Sequence, residues 1–396
     1  MKHTNLNTTY LAGFFLILTL PILTIQPWLF PPDWTKAVLM RTVVALLLGL
    51  FAFQRLYYPS TITIPPLKKN FVFWGLCTLF AVFLLATLFS VDMRFSLFGS
   101  PTRGGGFVSL VGYMVFALLA FLTLKKSGWQ KLWIFEIGIG IIVSLVAICQ
   151  FYGLFENIFL KFAGSPPSTL GNSTFVAIYL LLLFFRVLFF AVKEPFGFAI
   201  DSVNAKKIGY LIILALFGWV ILITGSRAAY LGLLVGFMYF VFFYPRKLRA
   251  LKITALVLVA MAVFGVYAAN TLPTAPPAIA QYKILNTVYN RLSLRVFAND
   301  ARFYSWRIAA QAFKKKPILG WGPENFAVGF DKHYDPSLPY IGNIASNWWD
   351  RGHNIIFDIG IQAGILGLIA YFGLLGVLFW QLQKLDVKLA DVVDVD

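Results

Sequence analysis

Residues 71–90 read FVFWGLCTLFAVFLLATLFS, twenty positions without one charged side chain. At 1.5 Å of rise per residue, about twenty apolar residues are what a helix needs to cross roughly 30 Å of hydrocarbon. The stretch is continuously apolar and does not alternate, as a strand of a membrane barrel would, so its N–H and C=O groups must be satisfied inside a helix. Similar windows recur at about 10–30, 36–56, 107–124, 132–154, 174–192, 208–224, 228–244, 251–270 and 364–383. The predicted fold is therefore all-α, a polytopic transmembrane bundle of about ten spans.

Composition agrees. Of 396 residues, 59% are hydrophobic and 12% charged, and the mean hydropathy is +0.78, whereas about a quarter of a soluble domain is charged. The net charge of +17, from 33 Lys and Arg against 16 Asp and Glu, would suggest a nucleic-acid partner in a soluble protein. Here the basic residues lie between apolar runs, where they set topology, so membrane lipids are the expected surroundings and nucleic acid is not an expected partner. Cys77 and Cys149 both fall inside apolar runs, which offers neither a disulfide nor a thiolate metal site. The first apolar run ends at Pro-Pro-Asp-Trp, not at a small-residue cleavage site, and reads as an uncleaved span.

Basic residues concentrate on every second connection: Arg55, Lys68 and Lys69; Lys125, Lys126 and Lys131; Lys193, Lys206 and Lys207; Arg246, Lys247, Arg249 and Lys252. The positive-inside rule puts these in the cytoplasm, with the N-terminus, and leaves Arg94, Arg103, Lys161 and Arg227 outside. The predicted organisation is a transmembrane core over 1–270 with about nine spans, a large external loop over 271–352, and a final helical region over 353–396 with one span and a short cytoplasmic tail. The loop carries ten Lys and Arg against five Asp and Glu, and loops of that size translocate regardless of charge. Within it, residues 300–316 place Phe303, Trp306, Ala310 and Phe313 on one stripe, with Asn299 or Asp300 as N-cap and Pro317 as terminator. They read as an interfacial amphipathic helix.

Five residues are candidates for chemistry. Arg227, in T-G-S-R-A-A-Y, opens a helix with Ser226 as its cap. A cation beside the positive end of a helix dipole calls for an anion, phosphate above all, unless it snorkels to the interface. Arg302 shares a helical face with Trp306, Ala309 and Phe313, where a cation needs an anionic partner, either a ligand or a loop carboxylate such as Asp300 or Asp335. His353, in D-R-G-H-N at 350–354, offers an imidazole that could take a proton from a hydroxyl with Asp350 or Glu324 to orient it, or is simply a solvated loop residue. Arg103, in G-S-P-T-R-G-G-G-F, sits where glycines let backbone approach a ligand, though a Gly-rich turn explains it equally. Arg41, near the outer end of the second span, either reaches the same cavity or snorkels. An H-E-x-x-H pattern and a Walker motif are both lacking, so a metal-independent reaction without a cofactor is expected.

T-G-S-R at 224–227, the R-x-x-x-W of Arg302 and Trp306, P-I-L-G-W-G-P-E-N-F at 317–326, H-N at 353–354 and G-I-L-G-L at 364–368, taken in this order, resemble the O-antigen ligase and O-antigen polymerase family of bacterial surface-polysaccharide enzymes. The resemblance spans roughly Gly99 to Trp380. It implies a GT-C-like membrane glycosyltransferase of the bacterial inner membrane, metal-independent and inverting. The donor would be an undecaprenyl-diphosphate-linked glycan, and the acceptor a glycan, lipid or protein hydroxyl on the periplasmic or extracellular face. It also implies arginines matching Arg227 and Arg302 at the diphosphate and a histidine matching His353 at the acceptor. Gly352 stands where members often have Ala, and many members continue beyond the last span present here. Alternative readings are a lipid-linked glycan transporter or flippase and, within the enzyme class, a protein O-oligosaccharyltransferase.

Overall fold

The computed structural model describes residues 4–23, 32–59, 66–159, 161–162, 164–193, 202–243, 249–271, 276–282, 285–286, 289, 301–340 and 348–393. Every regular element among them is helical. The α-helices are α1 (Thr4–Leu18), α2 (Pro32–Tyr57), α3 (Phe71–Leu88), α4 (Met93–Phe98), α5 (Phe107–Thr123), α6 (Lys126–Tyr152), α7 (Ser173–Lys193), α8 (Ser202–Thr224), α9 (Arg227–Phe243), α10 (Arg249–Thr271), α11 (Pro277–Ala280), α12 (Ala301–Lys315), α13 (Phe326–Lys332) and α14 (Ile355–Val393). Seven of them, α2, α3, α6, α7, α8, α10 and α14, are long and apolar enough to cross a membrane, and three shorter apolar helices cover Asn7–Ile22, Phe107–Thr123 and Arg227–Phe240. These ten fall on the ten predicted windows; the end of the first window, 24–30, lies outside the described residues.

The chain divides into two compact units: one of Met1–Ile17, Gln26–Lys125 and Asn299–Asp396, the other of Leu18–Ile25 and Lys126–Ala298. In the second, α6, α7, α8 and α9 enclose a core in which Val143, Leu180, Leu183, Phe217, Val220 and Ile221 are buried. Gly232 and Gly236 form a G-x-x-x-G on α9. A Cβ at Gly232 would lie 2.6 Å from Leu181, and one at Gly236 would strike Phe185, so this small-residue stripe is what lets α7 approach. The same unit pairs Glu136 of α6 with Arg186 of α7, whose guanidinium lies 5.9 Å from the centre of the Trp133 ring.

In the first unit α2 packs on α5 and α3 on α14. Gly75 of α3 leaves room for Leu374 of α14, and Phe71 meets Trp380 edge-on at 5.4 Å. The Asn70 carboxamide caps α3 by accepting from the amides of Val72 (3.0 Å) and Phe73 (3.3 Å), and Asp92 caps α4 through the Phe95 amide (2.9 Å).

The 300–316 segment is helical, as α12, and stops at Lys315 before Pro317; its predicted caps, Asn299 and Asp300, lie outside the described residues. Its buried face is not the expected stripe. Ser305, Ile308, Ala309 and Ala312 are buried, whereas Phe303 is exposed and Trp306, Ala310 and Phe313 are half-buried. The helix is wedged between two neighbours: Ile308, Ala309 and Ala312 join Trp321, Phe326 and Phe330, while Trp306 stacks on Phe357 of α14 at 5.7 Å.

α14 is two helices joined at Gly364, which has φ 64 and ψ −161. A break in a spanning helix frees backbone groups that must find partners. They find them in the 317–322 turn. The amides of Trp321 and Gly322 donate to the carbonyls of Ile361 (2.7 Å) and Gln362 (3.1 Å), and the amides of Ile365 and Leu366 donate to those of Pro317 (2.8 Å) and Ile318 (3.4 Å). A Cβ at Gly364 would strike the Ile318 carbonyl, and one at Gly320 the carbonyl of Ile361. Two motifs forty residues apart are one backbone construction.

Candidate functional site

The turn that repairs α14 also presents Glu324. Its φ is +66, in the left-handed region that side-chain-bearing residues adopt at a cost of about 1–3 kcal/mol. Its amide donates to Gln362 Oε1 at 3.0 Å. Next to it, the Asn325 carboxamide nitrogen donates to Ser96 Oγ (2.7 Å) and the Pro323 carbonyl (3.1 Å), and Ser96 Oγ donates to the same carbonyl (2.9 Å). This locks the turn to the start of α4. The Glu324 carboxylate, 7% exposed, pairs with Arg351, 23% exposed. It fills the space a Cβ at Gly105 would need, so the Gly-rich loop is glycine there because a carboxylate lies against it.

That loop, 99–106, is held from the other side by Arg41. The guanidinium donates to the carbonyls of Gly104 and Gly105 (2.8 Å for the latter) and to Ser109 Oγ (2.9 Å from Nε). Arg103, at the loop's apex, reaches both Asp350 oxygens from Nη2, at 3.1 and 3.0 Å. Arg41 and Arg103 therefore connect the Gly-rich loop to α2 and to D-R-G-H-N, respectively.

Four of the five D-R-G-H-N residues are tied down. Asp350 holds Arg103, and Arg351 holds Glu324. The Gly352 carbonyl accepts from the Trp306 indole (2.7 Å), and the Gly352 amide donates to Asp358 (2.7 Å). Asn354 caps α14 by accepting from the Ile356 amide (3.0 Å). A Cβ at Gly352 would meet Phe326 at 3.1 Å and Phe357 at 3.2 Å, so the alanine common in the resembling family fits only if those rings give by a few tenths of an ångström.

His353 is the exception. With φ +49, it is turned out of the loop by its neighbours' bonds, and its ring meets Trp349 edge-on at 4.9 Å. No hydrogen bond to its nitrogens forms among the described residues, and the buried Trp349 indole N–H likewise lacks a partner there. Partial desolvation pushes the imidazole pKa below its ordinary 6.5. The Arg302 charge pushes the same way, against Asp358 and Asp350. The ring is thus neutral near pH 7, with a nitrogen able to take a proton. The expectation that Asp350 or Glu324 orients it by hydrogen bonding is not met. Both carboxylates are engaged by arginines, and the contact the ring makes is the edge-on one with Trp349.

Arg302 is exposed on the first turn of α12, one turn before Trp306, and its charge is felt at His353. Arg302, Arg103 and His353 are thus brought together in the first unit, and Arg41 supports the loop beside them. Arg227 belongs to the second unit, where it is the first residue of α9. The Gly225 φ of +71 makes the turn into that helix, and the buried Ser226 accepts the Ala229 amide (3.1 Å) with its carbonyl. Among the described residues no three His, Cys, Asp or Glu side chains gather as metal ligands would.

Sequence reasoning missed Arg351, Asp358, Gln362 and Ser109. Asp358 and Gln362 carried a signal: two polar residues at i and i+4 in an apolar helix mark one face that needs polar partners. Arg351 and Ser109 carried none, because their partners are remote in the chain.

A sequence model of the O-antigen ligase family matches residues 212–372, which include T-G-S-R, Arg302, Trp306, the 317–326 turn, His353 and the Gly364 break. The curated O-antigen ligase of Salmonella typhimurium strain LT2 is 24% identical over 393 residues, covering 93% of this chain and 88% of that protein. The family resemblance carried by those motifs is borne out, and it supports a membrane enzyme of glycan transfer.

Proposed function

We propose that this protein transfers a glycan from an undecaprenyl-diphosphate-linked donor to an acceptor hydroxyl at the outer face of the bacterial inner membrane, by single displacement with inversion and without a metal. The carrying observation is His353: a neutral, strained imidazole whose nitrogens are left for a ligand while every neighbour in its loop is pinned. As base, it takes the acceptor's hydroxyl proton. The acceptor oxygen bonds to the anomeric carbon, and the bond from that carbon to the diphosphate oxygen breaks with its electron pair on the leaving undecaprenyl diphosphate. Arg302 meets that charge, as guanidinium groups do for phosphates, and Arg227 is assigned to the diphosphate on its T-G-S-R motif alone. Arg103 and Arg41 hold the loop that lines the substrate.

Release of undecaprenyl diphosphate from a defined donor in the presence of acceptor tests this, since a transporter breaks no bond. Arg227→Ala and Arg302→Ala abolish release while membrane insertion persists. His353→Ala lowers the rate by about 10² to 10⁴. Full activity in both arginine variants overturns the proposal, and a tenfold or smaller loss in His353→Ala removes the histidine as base.

A further inference from the structure

A different side of α12 carries a polar concavity that the transfer step does not use. Arg307 and Gln311, one turn apart on α12, and His333, Tyr334 and Asp335, just after α13, line a cavity of about 190 Å³ floored by the buried Ile308. Arg307 stands about 140° around the helix from Arg302 and about 7.5 Å along it, so the cavity belongs to a different face from His353.

Its chemistry is mixed in sign and dense in both donors and acceptors. His333 Nδ1 lies 3.0 Å from the Gly329 carbonyl. A carbonyl only accepts, so Nδ1 carries the proton and Nε2 is an acceptor in the neutral ring. Asp335 uses Oδ1 to accept from the Ser337 amide (3.0 Å) and hydroxyl (2.6 Å), which leaves Oδ2 as a further acceptor. Those bonds and the Arg307 charge hold the Asp335 carboxyl below its ordinary range, so it is ionised. Arg307 donates, and the Gln311 carboxamide does both. A carboxylate beside the guanidinium disfavours a phosphate, and the guanidinium disfavours an ammonium. Neighbouring hydroxyls on one ring, each a donor and an acceptor, match such a set. The half-exposed Tyr334 adds an aromatic surface for a C–H face. The volume is below the roughly 300–1,000 Å³ of pockets for drug-sized ligands, which suits a single sugar ring.

We propose that this cavity is a subsite for one neutral pyranose residue of a glycan handled by the enzyme, remote from the sugar that reacts. The proposal rests on the glycan-transfer reading above, and the sugar belongs either to the donor chain or to the acceptor.

The test is saturation-transfer NMR on the purified full chain in detergent. The probes are methyl α-D-glucopyranoside, methyl α-D-galactopyranoside, methyl α-L-rhamnopyranoside and the glycan released by mild acid from the producing cells' lipid-linked intermediates, with inorganic phosphate as competitor. Ring protons of at least one sugar saturate. The signal weakens roughly tenfold or more in Arg307→Ala and in Gln311→Ala, both exposed positions, because each removes a hydrogen bond to a polar ring. It persists in His353→Ala and in the presence of phosphate. Absence of saturation with every sugar, displacement by phosphate, or an undiminished signal in both variants overturns the subsite. Transfer kinetics identify the source: Arg307→Ala raises KM for the donor if the donor chain occupies the cavity, or KM for the acceptor if the acceptor does, with kcat kept, and no change in either KM also overturns it. Should His353→Ala leave transfer intact, the catalytic reading fails while the binding result stands by itself.

Discussion

Two glutamate–arginine pairs occupy the two units, and they differ in everything but chemistry. Glu136 and Arg186 join α6 to α7 amid apolar residues, with Trp133 under the guanidinium and the Tyr179 hydroxyl at the Glu136 carbonyl. Glu324 and Arg351 join a turn to a loop. They adjoin a left-handed backbone at 324, a glycine that must lack a Cβ at 105, and the histidine at 353. The first pair fixes how two spans meet. The second fixes the loop that carries the proposed base, His353. An ion pair inside a membrane protein therefore reports its role through its neighbours, not through its own geometry.

The comparison can be broken most directly at Glu324. Glu324→Gln leaves Arg351 without its carboxylate, a change that costs about 3–5 kcal/mol when a buried pair is opened. A lowered thermal midpoint together with lost transfer is expected, and an unchanged midpoint with full transfer would erase the distinction drawn here. Gly105→Ala drives a methyl group into the same carboxylate, with an expected cost of about 1–3 kcal/mol. Transfer falls because Arg351 and the 350–354 loop shift; thermal scans and rate assays on one preparation check both. Replacing the second unit's pair by Glu136→Leu with Arg186→Leu is expected to be close to neutral in stability, as apolar replacements of buried pairs are, and to leave turnover per folded molecule unchanged. A loss of turnover there would assign that pair to the reaction.

The smallest effect is a shift in pH dependence. Because burial and the Arg302 charge both depress the His353 pKa, transfer rises with pH through a midpoint below 6.5 and is flat above it. Arg302→Gln removes one depressing cause, so the His353 imidazole titrates at higher pH, read by NMR of the ring. A downward shift contradicts the arrangement described for Arg302.

The spans were legible because scarcity of charge over about twenty residues is a local property; every predicted window carries an apolar helix. The candidate site was legible in pieces. Arg302, Trp306, the 317–326 turn and His353 stood out by residue type, yet their relations did not, since the bonds joining Trp321 to Ile361 or Trp306 to Gly352 are largely made by backbone atoms, which no side-chain period records. The buried face of α12 was displaced from the expected stripe for a related reason. Periodicity identifies an amphipathic helix facing one partner, whereas α12 faces two. The charged pairs Arg103–Asp350 and Arg351–Glu324 link residues far apart in the chain and became visible only once the loops were folded.

The break at Gly364 has a consequence for biogenesis. The carbonyls of Ile361 and Gln362 and the amides of Ile365 and Leu366 are satisfied by a stretch synthesised some forty residues earlier, and in lipid each orphaned group costs several kcal/mol. The hydrophobic segment of α14 thus completes its own folding only on a template already delivered by the preceding loop. In hydrogen exchange the amides of Trp321 and Ile365 should open as one cooperative unit, which couples the folding of the candidate site to the folding of α14.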